Sequence, residues 1–148
     1  MSTLVLTLLL ATGALLGACG PDAPPLSADL KYYVAAQQAL AADDFSIALQ
    51  ALQDLSKHID PAVKPLVEKV TQAQDINAMR LAFRPLSARI TDQAVPAGLV
   101  LAYCPMVEGD KIGYWFQREG DILNPYFGAS MLHCGGFRDS KAEVENDK

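Results

Sequence analysis

Apolar residues recur with the spacing of amphipathic helices through the first two thirds of the chain. Four such stretches follow residues that can cap a helix, namely Ser27, the pair Asp43-Asp44, Asp60 and either Asp75 or Asn77. The apolar faces of these helices predict a core built from Val34, Leu40, Leu49, Leu52, Leu66, Val70, Phe83 and Leu86. Pro85 lies within the fourth stretch and predicts a kink or a break there, because proline cannot donate a helical hydrogen bond.

The pattern changes after Gly98, where residues 99–104 and 112–117 form two short runs rich in aromatic and β-branched side chains. A turn at Gly109-Asp110 between the runs predicts a β-hairpin. Residues 121–137 are punctuated by glycines and by Asn124-Pro125, which predicts an ordered loop with a helical turn near residues 129–133. We therefore predict a mainly α fold: a four-helix bundle with a small β-hairpin and an ordered loop at its C-terminal end.

The first residues form a short apolar segment that is not long enough to span a bilayer as a helix. It ends in Leu16-Gly17-Ala18-Cys19 and resembles a bacterial lipoprotein signal, although no Lys or Arg precedes it. This resemblance implies cleavage of residues 1–18 and a diacylglyceryl thioether, carrying palmitate-type chains, on the Cys19 sulfur. Gly20 after the cysteine favours the outer membrane. The alternative is an uncleaved hydrophobic anchor.

The proline-rich residues 19–27 predict a lipid-anchored linker, and residues 28–137 predict one helical domain with the hairpin at its C-terminal end. Residues 138–148 are charged and lack large apolar side chains, which predicts a disordered tail. The formal net charge is −5 and the basic residues are scattered, so no nucleic-acid partner is expected. The N-terminal lipid would make a membrane the first partner.

Two clusters of soft ligands carry the candidate chemistry: Cys104-Pro105-Met106 and the segment from Met131 to Cys134. Thiolate and thioether sulfurs select Cu(I), or the similarly soft Ag(I), over harder cations. In an extended strand Cys104 and Met106 would face the same way, and a helical turn would align Met131 with Cys134. The spacing therefore permits a metal site of two cysteines and two methionines.

Other interpretations of these residues stay open at this point. Cys104 and Cys134 could form a disulfide, which would stabilise a loop of this size by about 3 to 4 kcal/mol, with the methionines as core residues. Zinc could use both cysteines and His133, but a methionine beside each cysteine favours Cu(I), with His133 as an additional donor. The one tryptophan, Trp115, is either a core anchor or an aromatic face over a bound cation.

Enzyme chemistry has little support in the sequence. No serine lies in a nucleophile elbow, and no glycine-rich loop has the form that binds phosphate. His58 lies near a predicted helix end, where a solvated histidine is the usual explanation. We therefore expect a protein that is not an enzyme.

The same motifs carry a family resemblance that covers the chain from about Leu30 to Gly136. The segments 103–106, 113–115, 124–128 and 131–135 resemble a small bacterial domain of unknown function. That domain occurs in short periplasmic or lipid-anchored proteins and is fused to the adaptor subunits of copper and silver efflux pumps. The resemblance implies a role in copper resistance, with metal ligands at Cys104, Met106, Met131 and Cys134.

These observations predict an envelope lipoprotein on the periplasmic face of the outer membrane. It would bind Cu(I) or Ag(I) for sequestration or for delivery to an efflux system. The alternative is an interaction module without metal, in which a structural Cys104–Cys134 disulfide supports binding to an efflux adaptor or another envelope protein.

Overall fold

The computed structural model describes residues 25–109 and 111–140. Four α-helices come first in these ranges, namely α1 (Ala28–Ala41), α2 (Phe45–Leu55), α3 (Lys64–Thr71) and α4 (Ile76–Ile90). Three strands follow: β1 (Val100–Val107), β2 (Lys111–Gln117) and β3 (Gly136–Arg138), with one 3₁₀ turn at Gly128–Ser130. Among the described helices, none has the length and apolar character needed to cross a membrane. The predicted signal, lipidation at Cys19, most of the linker, and the tail beyond residue 140 lie outside the described residues.

The predicted mainly α class with a four-helix bundle is wrong. The predicted hairpin is present as β1 and β2, but β3 pairs with the other edge of β1 and completes an antiparallel sheet with the order β2-β1-β3. Helices α1 and α2 pack together, as do α3 and α4, while α4 and α1 also pack against β2. The chain therefore folds as two helical hairpins against a small sheet. Arg138, assigned to the tail in the prediction, belongs to β3.

Two of the predicted helix caps are confirmed by hydrogen bonds. The Asp44 carboxylate accepts from the Ile47 amide at 2.9 Å, and the Asp75 carboxylate accepts from the Ala78 amide at 2.9 Å. Each bond satisfies one of the amides that a helix leaves unpaired in its first turn. Asp75, and not Asn77, is thus the residue that starts α4.

Prolines move one helix start and leave another helix intact. The Asp60 carboxylate accepts from the amide of Ala62 at 2.7 Å, and α3 begins later at Lys64 with Pro65 in its first turn. Proline is tolerated there because first-turn amides have no helical acceptor. Pro85 lies inside the 15-residue α4, which continues to Ile90, so the predicted break does not occur.

The predicted core is largely buried. Val34, Leu40, Leu52, Val70, Phe83 and Leu86 are at most 5% exposed, whereas Leu49 and Leu66 pack at its margin. The largest fully buried side chains also include residues of the sheet, among them Trp115 and Phe116. The helices and the sheet therefore share one apolar core.

The outer edge of β2 is covered by polar side chains of the helices and the loop. The Phe116 amide donates to the Tyr33 hydroxyl at 3.2 Å, and Ser87 Oγ donates to the Tyr114 carbonyl at 2.6 Å. Tyr126 donates to the same carbonyl at 2.6 Å, and the Tyr33 and Ser87 oxygens lie 2.5 Å apart. Burial raises the pKa of Tyr33 far above its ordinary value, so this network is uncharged. These bonds fix the sheet against α1 and α4.

Candidate functional site

Cys104 and Cys134 lie side by side although 30 residues separate them in the chain. Their Sγ atoms are 3.6 Å apart, and both are free thiols. Cys104 is fully buried on β1, and Cys134 is half-buried just before β3. The pairing of Tyr103 with Gly136 brings them together, because Cys104 follows Tyr103 and Cys134 precedes Gly136 by two residues.

The separation of the two sulfurs can be compared with two kinds of bonded pair. It exceeds the bond of about 2.05 Å in a disulfide. It is close to the value of about 3.8 Å expected for two sulfurs on a tetrahedral metal with metal–sulfur bonds of about 2.3 Å. The two thiols are in hydrogen-bond contact, a spacing that also suits two ligands of one metal, and a movement of about 1.5 Å would bring them to disulfide contact.

The surroundings of Cys134 oppose negative charge on its sulfur. Burial is the largest cause that raises the pKa of the Cys134 thiol, followed by its hydrogen bond with Cys104 and the charge of Cys104. Two adjacent thiolates would repel each other in a medium that solvates them poorly. A bound cation would remove that repulsion, because it favours the thiolate form of both sulfurs.

Asn124 holds the backbone of Cys134 in place. Its buried side chain donates from Nδ2 to the Cys134 carbonyl at 2.9 Å and accepts at Oδ1 from the Tyr126 amide at 2.9 Å. Its own amide donates to the Leu132 carbonyl at 2.8 Å. One residue thus connects both halves of the loop, and the position of Cys134 depends on it.

Gln117 ties the start of the same loop to the sheet. Its Oε1 accepts from the indole of Trp115 at 2.9 Å and from the Leu123 amide at 3.0 Å, while its Nε2 donates to the Asp121 carbonyl at 2.8 Å. Trp115 is fully buried and meets the ring of Tyr126 edge-on, with centroids 5.7 Å apart. Its packing is that of a core anchor.

Glycines make room around the two cysteines. Gly113 pairs with Cys104 across the hairpin, and a Cβ built on Gly113 would lie 2.5 Å from ring carbon Cε2 of Tyr126. Side chains of directly paired residues share one face, so the Tyr126 ring occupies that space beside Cys104. Gly135 has a φ of +134°, and a Cβ there would overlap the carbonyl oxygen of Tyr103. The close approach of Cys134 to β1 therefore requires glycine at position 135.

Met106 lies apart from the buried face that carries Cys104. The register of β1 and β2 shifts between Cys104 and Val107, and both of these residues are buried while Met106 is 50% exposed. Pro105 has no amide hydrogen to continue the ladder, which favours an irregularity at this point. The alternation predicted for an extended Cys-Pro-Met segment therefore does not hold.

Met131 lies in one turn with Cys134. The Cys134 amide donates to the Met131 carbonyl at 3.0 Å, and the Met131 side chain is half-buried. His133 is exposed, and its Nδ1 lies 2.8 Å from the Ile122 carbonyl. The described residues contain no group of three or more His, Cys, Asp or Glu side chains arranged to hold a metal, so His133 does not join the cysteines in such a group.

A buried arginine anchors the loop to the helices. Arg80 donates to the carbonyls of Leu40 at 2.6 Å and Pro125 at 3.1 Å, and to the carboxylate of Asp43 at 2.5 Å. The other carboxylate oxygen of Asp43 accepts from the Ala129 amide at 3.0 Å. The hydrogen bond from Arg80 lowers the pKa of Asp43 and keeps it ionised. The turn between α1 and α2 is thereby joined to the loop.

The residues that position the site carry no recognisable pattern in the sequence. Asp43 resembled a helix cap next to Asp44, and Asn124 resembled ordinary turn punctuation before a proline. Arg80 lies on a helix where a charged residue usually faces solvent, but it is only 8% exposed. The signal that the sequence offers for a positioning residue such as Arg80 is a polar side chain on the otherwise apolar face of a predicted helix.

Comparison with models of known protein families, with curated proteins and with solved structures found no match. The family resemblance of the cysteine and methionine motifs therefore stays a prediction. The function must be inferred from the cysteine pair and its surroundings.

Proposed function

We propose that this protein binds Cu(I), or Ag(I), between Cys104 and Cys134. The observation that carries the proposal is the 3.6 Å separation of two free thiols that come from distant parts of the chain. One sulfur lies on the central strand of the sheet, and the other is held through Asn124 and the pairing of β3 with β1. A pair of sulfurs held in this way is suited to a soft cation.

The charge of the site favours a monovalent ion. Two thiolates and one Cu(I) leave a single net negative charge, which a half-buried site accommodates more readily than two uncompensated thiolates. The thioether of Met131, within the same turn as Cys134, would add a neutral third sulfur. Met106 is half-exposed beyond the β1 irregularity, where its thioether would meet an incoming ion.

The cellular role proposed for the protein follows from the sequence motifs. Acylation at Cys19 would hold the domain at the periplasmic face of the outer membrane. There it would sequester copper or deliver it to an efflux system, with an efflux adaptor as the protein partner. The closeness of the two sulfurs also favours one alternative, an interaction module in which a Cys104–Cys134 disulfide is purely structural.

The two methionines provide a test of this assignment. We expect Met131→Leu to weaken Cu(I) binding about tenfold, equivalent to about 1.4 kcal/mol, because it removes a neutral ligand and keeps the volume. Met106→Leu should leave the equilibrium affinity within about twofold and slow the transfer of Cu(I) from a donor. Competition of reduced protein with a chromogenic Cu(I) chelator measures the affinity, and stopped-flow mixing measures the transfer rate.

Cys104→Ser is the reference for complete loss of the site in the same titration. Equal weakening by both methionine variants would contradict the separate roles of the methionines. If the double methionine variant binds as wild type does and also preserves copper tolerance in cells, the methionines are not ligands. If reduced wild type cannot take Cu(I) from a weak chelator, the structural disulfide becomes the better explanation.

A further inference from the structure

The two sulfurs of the pair differ in their access to solvent. Cys104 is fully buried on the central strand, on the face that the Tyr126 ring covers. Cys134 is half-buried in a segment outside the strands and is followed by Gly135 and Gly136. A reagent that arrives from solvent therefore meets the sulfur of Cys134 first.

The two sulfurs also differ in freedom to move. Cys104 is held by the ladders on both sides of β1, which pair it with Gly113 and fix its neighbour Tyr103 to Gly136. Cys134 is held by its turn and by the hydrogen bond from Asn124 to its carbonyl. The approach of about 1.5 Å that disulfide formation needs would come mainly from Cys134.

We propose that the pair undergoes ordered thiol–disulfide exchange, with Cys134 as the entry sulfur and Cys104 as the resolving sulfur. The Cys134 thiolate attacks one sulfur of an incoming disulfide and breaks its S–S bond, and the leaving thiolate takes the proton that Cys134 gave up. Cys104 then attacks the Cys134 sulfur, 3.6 Å away in the reduced protein, and releases the second thiol. In total, two protein thiols are oxidised to one disulfide, and the incoming disulfide is reduced to two thiols.

This exchange would regulate the metal site, an inference that rests on the proposed function. The disulfide leaves neither sulfur as a thiolate, so the oxidised protein cannot hold the ion through this pair. A bound Cu(I) in turn occupies both sulfurs and blocks attack by Cys134. Copper binding and oxidation would therefore exclude each other.

The order of the two steps can be tested with glutathione disulfide as the probe. The full chain carries Cys19→Ser so that only this pair reacts, and the products are acid-quenched and identified by mass spectrometry. The protein that keeps both Cys104 and Cys134 should form the internal disulfide, and no mixed disulfide with glutathione should accumulate. Cys104→Ser should accumulate a glutathione adduct on Cys134, whereas Cys134→Ser should react at least about tenfold more slowly, because its remaining sulfur is buried.

Equal reactivity of the two single variants would overturn the order, as would a reduced pair that gives no internal disulfide. Circular dichroism and urea unfolding identify a variant that does not fold, and Cys104→Ala and Cys134→Ala then replace the serine variants.

Protein preloaded with one equivalent of Cu(I) tests whether bound copper blocks the exchange, separately from whether the exchange occurs. We expect the preloaded protein to react at least about tenfold more slowly than the metal-free protein, because both sulfurs are bound. If the metal-free protein follows the proposed order and copper gives no protection, the exchange stands and the regulation fails. If copper also fails to bind in the chelator assay, the proposed function fails as well. If copper binds and the order is not observed, the metal site stands without this exchange.

Discussion

Replacing Asn124 with alanine is expected to lower the free energy of unfolding by about 2 to 4 kcal/mol. The substitution removes the partners of the Cys134 carbonyl and of the Tyr126 amide, and each buried group left without a partner costs about 1 to 3 kcal/mol. Cys134 would then be held beside Cys104 only by its turn and by the pairing of β3 with β1. Urea unfolding measures the stability, and the Cu(I) affinity of the folded variant should fall together with it.

Asn77→Ala provides the matched control for this substitution. Asn77 is an exposed asparagine on α4, so its removal should change the stability by less than about 0.5 kcal/mol. A stable Asn124→Ala protein with wild-type copper affinity would show that the loop holds Cys134 by other means.

The second large effect is expected for Gly128→Ala, with a loss of stability of about 2 to 4 kcal/mol from backbone strain and from the lost partner of the buried Arg80. Gly128 has a φ of +56°, where an alanine is strained, and its Cβ would overlap the Asp43 carboxylate and the Arg80 guanidinium. Alanine there would displace the ion pair between the buried Arg80 and the partly exposed Asp43, which joins the loop to α1 and α4. Thermal and urea unfolding should both report the loss.

Gly109→Ala separates backbone strain from collision in that experiment. Gly109 also has a positive φ, +74°, but a Cβ there would meet no atom within 4 Å. We expect it to cost only about 1 to 2 kcal/mol, the strain of a left-handed residue. If the two alanine variants lose the same stability, the ion pair of Arg80 and Asp43 contributes nothing to holding the loop.

Features set by neighbouring residues could be predicted from the sequence. Asp44 and Asp75 cap helices through bonds to amides three residues ahead, and the turn of Met131 and Cys134 is equally local. The third strand could not be predicted in this way, because residues 136–138 pair with β1 through backbone groups and carry no alternating pattern. The sheet takes the place of further packing between helices. The prediction of a four-helix bundle is therefore wrong for the same reason, because the complete sheet could not be predicted.

The candidate site was predictable in its chemistry more than in its geometry. Thiols and thioethers identify soft-metal chemistry by their type alone, and the structure brings Cys104 and Cys134 together. The direction of Met106 depends on an irregularity of β1 that a regular alternation does not include. The support from Asn124 depends on contacts between residues distant in the fold, which no local spacing reveals.

The central claim is that one Cu(I) lies between the two thiolates, and X-ray absorption at the copper edge tests it most directly. Reduced protein is loaded with one equivalent of Cu(I) without oxygen, desalted and measured beside the Cys104→Ser and Cys134→Ser variants. For wild type, the proposed site predicts monovalent copper whose ligands are all sulfur atoms. For either variant, it predicts little or no retained copper. A shell of nitrogen or oxygen in wild type, or equal copper retention by both variants, would contradict the claim.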